Sequence, residues 1–197
     1  MLGASMQRAG NLQQAIGNYE HALRLGPNPS ASSNLGLMYY NAGRIDDAVR
    51  AFQMAVDEEP TTPVYRRNLG DALAKARQTV PARAEYSACV DLGNRALKSN
   101  ARDPATIALI AICEAKLGRG RDAERHGAEA LALAPTDREV LYKNAAIAAL
   151  AGDRVRALQR LRDALDRGYQ AQLVRDDDDF TAMRTMPEFR KLVGLTQ

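Results

Sequence analysis

Residues 34–60 read NLGLMYYNAGRIDDAVRAFQMAVDEEP, and this stretch decides the fold. Apolar residues recur at three- and four-residue spacing on both sides of Gly43, which predicts two amphipathic helices joined by a turn. Small residues stand at Gly36, Ala48 and Ala55, where they let two helix backbones approach closely. One such hairpin cannot bury its own apolar face, so we expect several of them to stack.

The same order of residues recurs along the chain. In the quoted copy, the pair Leu35-Gly36 is followed by Tyr39, Gly43, Ala48, Phe52, Ala55 and Pro60. An earlier copy, shifted by 33 residues, contains Leu2-Gly3, Gly10, Ala15, Tyr19, Ala22 and Pro27. Three later copies begin at Leu69-Gly70, Ile110-Ala111 and Asn144-Ala145. The last two of these also carry Gly118, Ala123, Ala130 and Pro135, and Gly152, Ala157, Leu161 and Ala164.

This pattern resembles the tetratricopeptide repeat (TPR), in which L-G, Y, A, F and P recur over about 34 residues. The resemblance covers residues 1–168 and implies an all-α fold, a right-handed α-solenoid of helix-turn-helix repeats with a short helical C-terminal cap. The predicted repeats are 1–28 (incomplete), 29–62, 63–103, 104–137 and 138–168, and the predicted capping helices lie in 169–197.

The third copy is longer than its neighbours. Gly70 and Ala111 are 41 residues apart, whereas the flanking intervals are 34. Seven extra residues make almost two helical turns and rotate the helix face by only about 20°. We therefore expect a longer second helix with two turns added at its beginning, which places Cys89, Gly93 and Ala96 on the inner face.

The two ends of the chain differ. The first copy begins directly at Met1, so most of the first turns of its first helix are missing, and we expect the chain to be a fragment of a longer protein. The segment from Ala164 to Leu192 is similar to tails that close TPR regions of bacterial multidomain signalling proteins. In those proteins the array follows a Ser/Thr kinase, a cyclase-like or a winged-helix domain.

Composition limits the function classes. The 197 residues carry a net charge of +3, and acidic and basic residues alternate along the chain. The chain contains no block of basic residues of the kind that indicates nucleic-acid binding. No apolar run approaches the roughly 18 residues that span a membrane. Cys89 and Cys113 are interpreted as small buried thiols in a reducing compartment. We expect a cytoplasmic protein, with the periplasm as the alternative if a signal sequence preceded this chain.

No residue pattern points to catalysis. The histidines, His21 and His126, have no nucleophile or acid partner at a motif spacing, and phosphate-loop and zinc-protease motifs are absent. The acidic run from Asp176 to Asp179 lacks the alternation and the glycine turn of a calcium loop, so solvated helix capping is the preferred interpretation. We predict no enzyme activity, no metal and no cofactor.

The TPR resemblance implies a groove lined by the first helix of each repeat. Carried over by alignment, the candidate peptide-binding residues are Asn34, Leu37, Tyr40, Asn41, Arg67, Asn68, Asp71, Lys75, Ile112, Lys116, Tyr142 and Lys143. Asn side chains hydrogen-bond an extended peptide backbone, and Lys or Arg binds a carboxylate. The plainer interpretation is that these are solvated polar positions without a dedicated ligand.

We therefore predict a non-catalytic scaffold that binds a protein or peptide of net negative charge, as a regulatory or sensor segment of a signalling protein. The alternative is a self-association module in which the incomplete N-terminal edge stacks on another copy to form a homo-oligomer. Neither a nucleic acid nor a membrane is expected as a partner.

Overall fold

The structure is a computed structural model that describes the backbone of residues 2–195 and the side chains of residues 12–195. All regular secondary structure in that part is helical. The long helices are α1 (Leu2–Leu25), α2 (Pro29–Asn41), α3 (Ile45–Glu58), α4 (Pro63–Lys75), α5 (Thr79–Leu97), α6 (Pro104–Lys116), α7 (Gly120–Leu133), α8 (Arg138–Leu150) and α9 (Arg154–Asp166). The tail adds α10 (Ala171–Arg175), a 3₁₀ helix (Asp178–Met183) and α11 (Pro187–Leu192).

Two compact units make up the chain, residues 1–89 and residues 90–197, which we call unit 1 and unit 2. In unit 1, α2 packs against α1, α3 and α4. In unit 2, the hairpins α6–α7 and α8–α9 form, and α6 packs against α8. Predicted repeats two to five therefore each contain one pair of helices.

Side-chain caps and prolines explain where several helices start. Asn28 accepts a hydrogen bond from the Ala31 amide at 2.9 Å, at the beginning of α2. Asp137 accepts from the Glu139 and Val140 amides, both at 2.9 Å, at the beginning of α8. These bonds satisfy amides that lack a partner within the helix. Proline occupies the first helical position of α2, α4, α6 and α11, where its missing N–H costs nothing.

The turns inside the hairpins need a left-handed residue. Gly43, Gly118 and Gly152 have φ values of 74°, 79° and 79°, in the left-handed region that glycine adopts without a steric cost. In the third hairpin the equivalent residue is Arg77, with φ of 60°. Among the described residues, Arg77 alone adopts positive φ without being glycine.

Close helix contact explains the glycine of the L-G pair. A Cβ added to Gly36 would lie 2.6 Å from the Phe52 ring, and one added to Gly70 would lie 2.7 Å from the Tyr86 ring. Both distances are too short for carbon atoms, so the aromatic ring of the second helix fills the space that a side chain would need.

The first copy differs from the expectation. The pattern predicts a turn at Gly10, but α1 continues without a break from Leu2 to Leu25. The Leu2-Gly3 pair lies outside the described side chains, whereas Ile16 on the same helix is buried. The first copy therefore contributes one helix rather than a hairpin.

The extra residues of the third copy lengthen the helix at its end, not at its beginning. Tyr86 packs on Gly70 as Phe52 packs on Gly36, so the regular register holds from the start of α5. Ala96, which was expected on the inner face, is exposed. Helix α5 has 19 residues against 14 in α3, and the other inserted residues extend the loop before α6. The expected longer helix forms, but the expected position of its added turns was wrong.

The cysteines also differ from the expectation. Cys89 and Cys113 are buried as expected, at 0% exposure. Neither is a free thiol, because both are disulfide-bonded. Disulfides persist in oxidising compartments, so the cysteines no longer support a reducing one.

The tail folds onto unit 2. Val174, Phe180, Met183, Phe189 and Val193 are fully buried in a core that they share with α8 and α9. The Phe180 ring stacks on Phe189 with centroids 5.8 Å apart, which joins the 3₁₀ helix to α11. The tail thus covers the apolar surface that the last hairpin leaves open.

Candidate functional site

The first helices of unit 1 form a surface that we call the α2–α4 face. It comprises seven side chains: Asn34, Leu37, Tyr40, Asn41, Arg67, Asp71 and Lys75. Asn34, Leu37, Asn41 and Lys75 are exposed, and the other three are half-buried. Helices α2 and α4 pack together, which brings these residues to one surface.

A lysine and a tyrosine meet on this face. The Lys75 ammonium nitrogen lies 5.4 Å from the centroid of the Tyr40 ring, a cation–π distance. Leu37 precedes Tyr40 by three residues on α2 and is 38% exposed. Residues three apart share one side of a helix, so an apolar patch lies next to the ammonium group.

Arg67 is the second cation of the face and is held within α4. Its Nε lies 2.7 Å from a carboxylate oxygen of Asp71, one turn further along the helix. The Tyr86 hydroxyl donates a hydrogen bond to the same carboxylate at 2.9 Å. Asp71 therefore balances the charge of Arg67 and fixes its position on α4.

Two candidate residues lie inside the packing. Asn68 is buried and donates a hydrogen bond from its amide to the Ser33 hydroxyl at 3.3 Å, which links α4 to α2. Ile112 is 1% exposed and belongs to the core of unit 2. Both side chains serve helix contacts in this structure.

The corresponding surface of unit 2, the α6–α8 face, is covered by the chain's own tail. We define it by Lys116 on α6 and by Tyr142 and Lys143 on α8. Lys116 forms a salt bridge with Asp179, and both side chains are buried or nearly so. The Tyr142 hydroxyl donates a hydrogen bond to Asp177. Lys143 is half-buried next to Tyr142.

Aromatic rings surround the covered face. Tyr142 stacks on Tyr169 with centroids 4.1 Å apart and planes 10° apart. Phe180 lies 6.0 Å from Tyr142 in a tilted arrangement. The tail segment therefore contacts the face through two carboxylates and an aromatic ring that follows them directly in sequence.

The aspartates of the acidic run, residues 176–179, make different contacts. Asp177 caps the 3₁₀ helix by accepting a hydrogen bond from the Asp179 amide at 2.9 Å. Asp178 accepts from the Arg184 guanidinium at 3.3 Å. The expected helix capping is present at Asp177. The expectation that the whole run is solvated was wrong, because Asp179 is only 6% exposed. The sequence shows the four carboxylates without showing that Lys116, 63 residues earlier, binds one of them.

Sequence reasoning also missed a buried pair. His126 Nδ1 lies 2.7 Å from a Glu114 carboxylate oxygen, and this contact joins α6 to α7. The two residues are twelve apart on opposite sides of a hairpin turn. The repeat period places positions 114 and 126 side by side in one hairpin, and this signal could have predicted the contact between Glu114 and His126.

Comparison with known proteins agrees with the helical repeat fold. Residues 1–63 match the family model described as tetratricopeptide repeat. A crystal structure of a thermophilic TPR protein from Thermus thermophilus superposes with a TM-score of 0.59, over 93% of both chains and at 22% identity. The fold is a tetratricopeptide repeat array. PilW, a widely conserved type IV pilus biogenesis factor, superposes with a TM-score of 0.56 at 22% identity, over 100% of this chain and 84% of PilW.

Two curated relatives share parts of their sequence with this chain. The photosystem I assembly protein Ycf3 of Synechococcus sp. strain WH7803 is 33% identical over 81 residues, which are 39% of this chain and 47% of Ycf3. The cytochrome c-type biogenesis protein CycH of Bradyrhizobium diazoefficiens is 30% identical over 139 residues, 68% of this chain and 36% of CycH. The chain thus spans less than half the length of either relative. Within the described residues, none of the helices has the length and apolarity needed to cross a membrane.

Proposed function

We propose that this chain is a non-catalytic scaffold that binds a protein or peptide on its α2–α4 face. The observation that carries the proposal is the contrast between the two faces. The α6–α8 face is filled by Asp177, Asp179 and Phe180 of the same chain, whereas Asn34, Leu37, Asn41 and Lys75 of the α2–α4 face are exposed. Exposed amides, an apolar patch and a cation on helices that pack rigidly together suit the binding of an extended segment.

The partner has net negative charge in this proposal. Lys75 lies at the end of α4, and Arg67 lies two turns earlier on the same helix. Lys116, which the sequence assigned to the same acidic ligand, instead binds Asp179. The attraction for an external acidic partner therefore comes mainly from α4.

The proposed setting is the assembly of a larger protein complex. The relatives named above are an assembly protein and a biogenesis protein, and PilW is a biogenesis factor. None of these names refers to a kinase, a cyclase or a winged-helix regulator, which the tail had suggested. A scaffold that holds one component by an exposed segment fits an assembly role without needing chemistry of its own.

A peptide array tests the proposal. The full chain is incubated with immobilised twelve-residue peptides that range from strongly acidic to strongly basic. We expect retention on acidic peptides and a strong loss of it in the double variant Arg67→Glu/Lys75→Glu, because two attractive charges become repulsive. Equal retention by the wild type and the variant would refute the assignment of the face.

The matched variants separate binding from folding. Because Arg67 is paired with Asp71, its reversal also perturbs α4, so Lys75→Glu alone is the sharper variant. Lys75→Glu removes the cation–π contact with Tyr40, so its urea unfolding curve is measured beside its binding, under conditions where the variant is fully folded. Lys98→Glu, an exposed lysine just after α5, serves as the charge-matched control.

A further inference from the structure

A cavity of about 220 Å³ opens in unit 2, where the turn of the hairpin α6–α7 meets the end of α8. We call it the turn cavity, and its lining residues are Ala115, Gly118, Gly120, Ala123, Ile147, Leu150 and Ala151. Ile147 is buried and Leu150 is 41% exposed, so the cavity reaches from the core to the surface. Apolar cavities of about 150 Å³ hold a molecule as large as benzene, so one leucine-sized side chain fits here.

A side chain is missing at Gly120, which lines the turn cavity. Gly43 and Gly118 occupy equivalent turns, and the next helix starts two residues later, at Ile45 in α3 and at Gly120 in α7. The Ile45 side chain is half-buried, whereas a Cβ added to Gly120 would meet no atom within 4 Å. The hairpin α6–α7 therefore lacks the aliphatic side chain that the hairpin α2–α3 has at this position.

The acidic residues beside the turn cavity are already paired. Asp122 forms a salt bridge with Arg125 at 3.3 Å. Arg156 forms salt bridges with Glu124 at 3.1 Å and with Asp153 at 2.8 Å. These three carboxylates are thus held by two arginines of α7 and α9.

Three exposed arginines near the turn cavity have no carboxylate partner within the described part of the chain. Arg119 and Arg121 stand on either side of the glycine that lines the cavity, and Arg154 is the first residue of α9. The two turn segments, residues 118–125 and 150–156, together contain five arginines and three acidic residues. An apolar opening in a surface of positive charge is complementary to an aliphatic side chain that lies between carboxylates.

We propose that the turn cavity binds a partner protein through an acidic segment that carries one leucine-sized aliphatic residue between its acids. The aliphatic side chain fills the space beside Gly120, and the carboxylates on either side of it pair with Arg119, Arg121 and Arg154. This surface lies in unit 2 and is separate from the α2–α4 face. A lipid surface fits less well, because a cavity receives a side chain, whereas membrane binding needs a row of projecting apolar side chains.

The test uses the full chain and two labelled peptides, DEELEED and DEEAEED, which differ only in the central side chain. Binding is measured by fluorescence anisotropy. DEELEED should bind about tenfold more tightly than DEEAEED, because burial of the leucine side chain removes apolar surface from water. Higher salt concentration should weaken the binding of both peptides, since exposed charges are screened.

Variants of the chain locate the binding. Gly120→Ile fills the turn cavity without a clash, so it should remove the preference for DEELEED while circular dichroism shows a retained fold. Arg121→Glu/Arg154→Glu should weaken DEELEED binding by about tenfold or more, because attractive charges become repulsive. Both substitutions place an acid in the first turn of a helix, where the helix dipole favours it. Lys98→Glu/Arg102→Glu, at two exposed residues between α5 and α6, is the charge-matched control and should bind as the wild type does.

Several results would overturn the inference. They are equal binding of DEELEED and DEEAEED by the wild type, a Gly120→Ile protein that keeps the preference for leucine, and equal weakening by the arginine variant and its control. If Lys75→Glu abolishes DEELEED binding and the cavity variants do not weaken it, the proposed function stands and this inference fails. If only the cavity variants weaken it, this inference stands and the α2–α4 face loses its support. Binding to phosphatidylserine vesicles without binding to DEELEED would assign the arginines to a lipid surface and overturn the inference.

Discussion

Arg77 carries a conformational cost that its counterparts do not. It occupies the left-handed position at the end of α4 with φ of 60°, where the other hairpins have glycine. A side chain in this conformation costs roughly 1 kcal/mol, because Cβ approaches the neighbouring carbonyl oxygen. The side chain is exposed, so its removal loses little packing.

Arg77→Gly should therefore stabilise the protein by about 0.5–1 kcal/mol. Urea unfolding measures the change. Gly43→Ala is the matched control of opposite sign: its φ is 74° and an added Cβ meets no neighbour, so only the backbone cost is introduced. Gly43→Ala should lower the free energy of unfolding by about 1 kcal/mol. A destabilised Arg77→Gly protein would contradict this account.

Tyr39 gives the protein a response to alkaline pH. Burial, together with the hydrogen bond that the Tyr39 hydroxyl donates to the Glu20 carboxylate at 2.6 Å, raises the pKa of Tyr39 from 10.0 to about 12. The folded state therefore keeps the proton at pH values where the unfolded chain releases it. Stability from this group is complete below pH 10 and is lost as the pH rises towards 12.

The corresponding experiment compares unfolding free energies of the wild type and Tyr39→Phe across this pH range. The decline with pH should be shallower in Tyr39→Phe, because the residue that titrates differently in the two states is gone. Absorbance at 295 nm, a wavelength that reports tyrosinate, should show one fewer late-titrating group in the variant. Parallel stability curves would contradict the assignment.

At the scale of elements, a buried ion pair between Lys116 and Asp179 adds to the apolar contacts that hold the tail. The side chains of Lys116 and Asp179 are 12% and 4% exposed, so removal of one partner leaves the other charge without compensation. Lys116→Ala should destabilise the protein by about 3 kcal/mol or more. The double variant Lys116→Ala/Asp179→Asn should recover part of the loss, because it removes the isolated carboxylate.

Lys191→Ala provides the control for this experiment. Lys191 is an exposed lysine on α11, and its removal should change stability by less than about 0.5 kcal/mol. Thermal or urea unfolding of Lys116→Ala, Lys116→Ala/Asp179→Asn and Lys191→Ala measures the contribution of the ion pair to stability. Equal effects of Lys116→Ala and Lys191→Ala would show that the ion pair contributes nothing beyond a surface charge.

The elements were more predictable than their contacts. Periodicity and the spacing of small residues predicted the hairpins from α2 to α9, because each hairpin is specified by local sequence. The continuous α1 and the exposed Ala96 were not predicted, since a period alone does not tell where a helix continues or at which end an insertion falls. The pairing of Lys116 with Asp179 depends on how a distant segment folds back, and no local pattern encodes it.

For the whole molecule, the two functional hypotheses predict different masses. If the α2–α4 face binds an external partner, the purified chain should have the mass of one chain at every concentration. If repeat edges stack on one another, the mass should rise with concentration. Multi-angle light scattering over a wide concentration range distinguishes these outcomes, and a rising mass would favour the self-association module.

The repeat alignment predicted which helices would carry the candidate site, because TPR repeats place equivalent residues at equivalent positions; ligand binding at these residues stays a prediction. Asn34, Leu37, Asn41 and Lys75 are exposed as a ligand-binding role requires, whereas Asn68 and Ile112 are buried. Burial depends on the neighbouring helix, and the alignment alone does not supply it. The alignment also did not show that the tail covers the α6–α8 face. The acidic run and Lys116 were both visible in the sequence, but only as separate features.

The contact of the tail with Lys116 and Tyr142 has a consequence for the way such a protein evolves. Repeat arrays lengthen by duplication of a hairpin, and a copy inserted between α9 and the tail would carry Asp177 and Asp179 away from their partners. The new last hairpins would need their own lysine and tyrosine at the matching positions to seat the tail again. Duplication within unit 2 is thus constrained by the contacts between its last two hairpins and the segment that follows them.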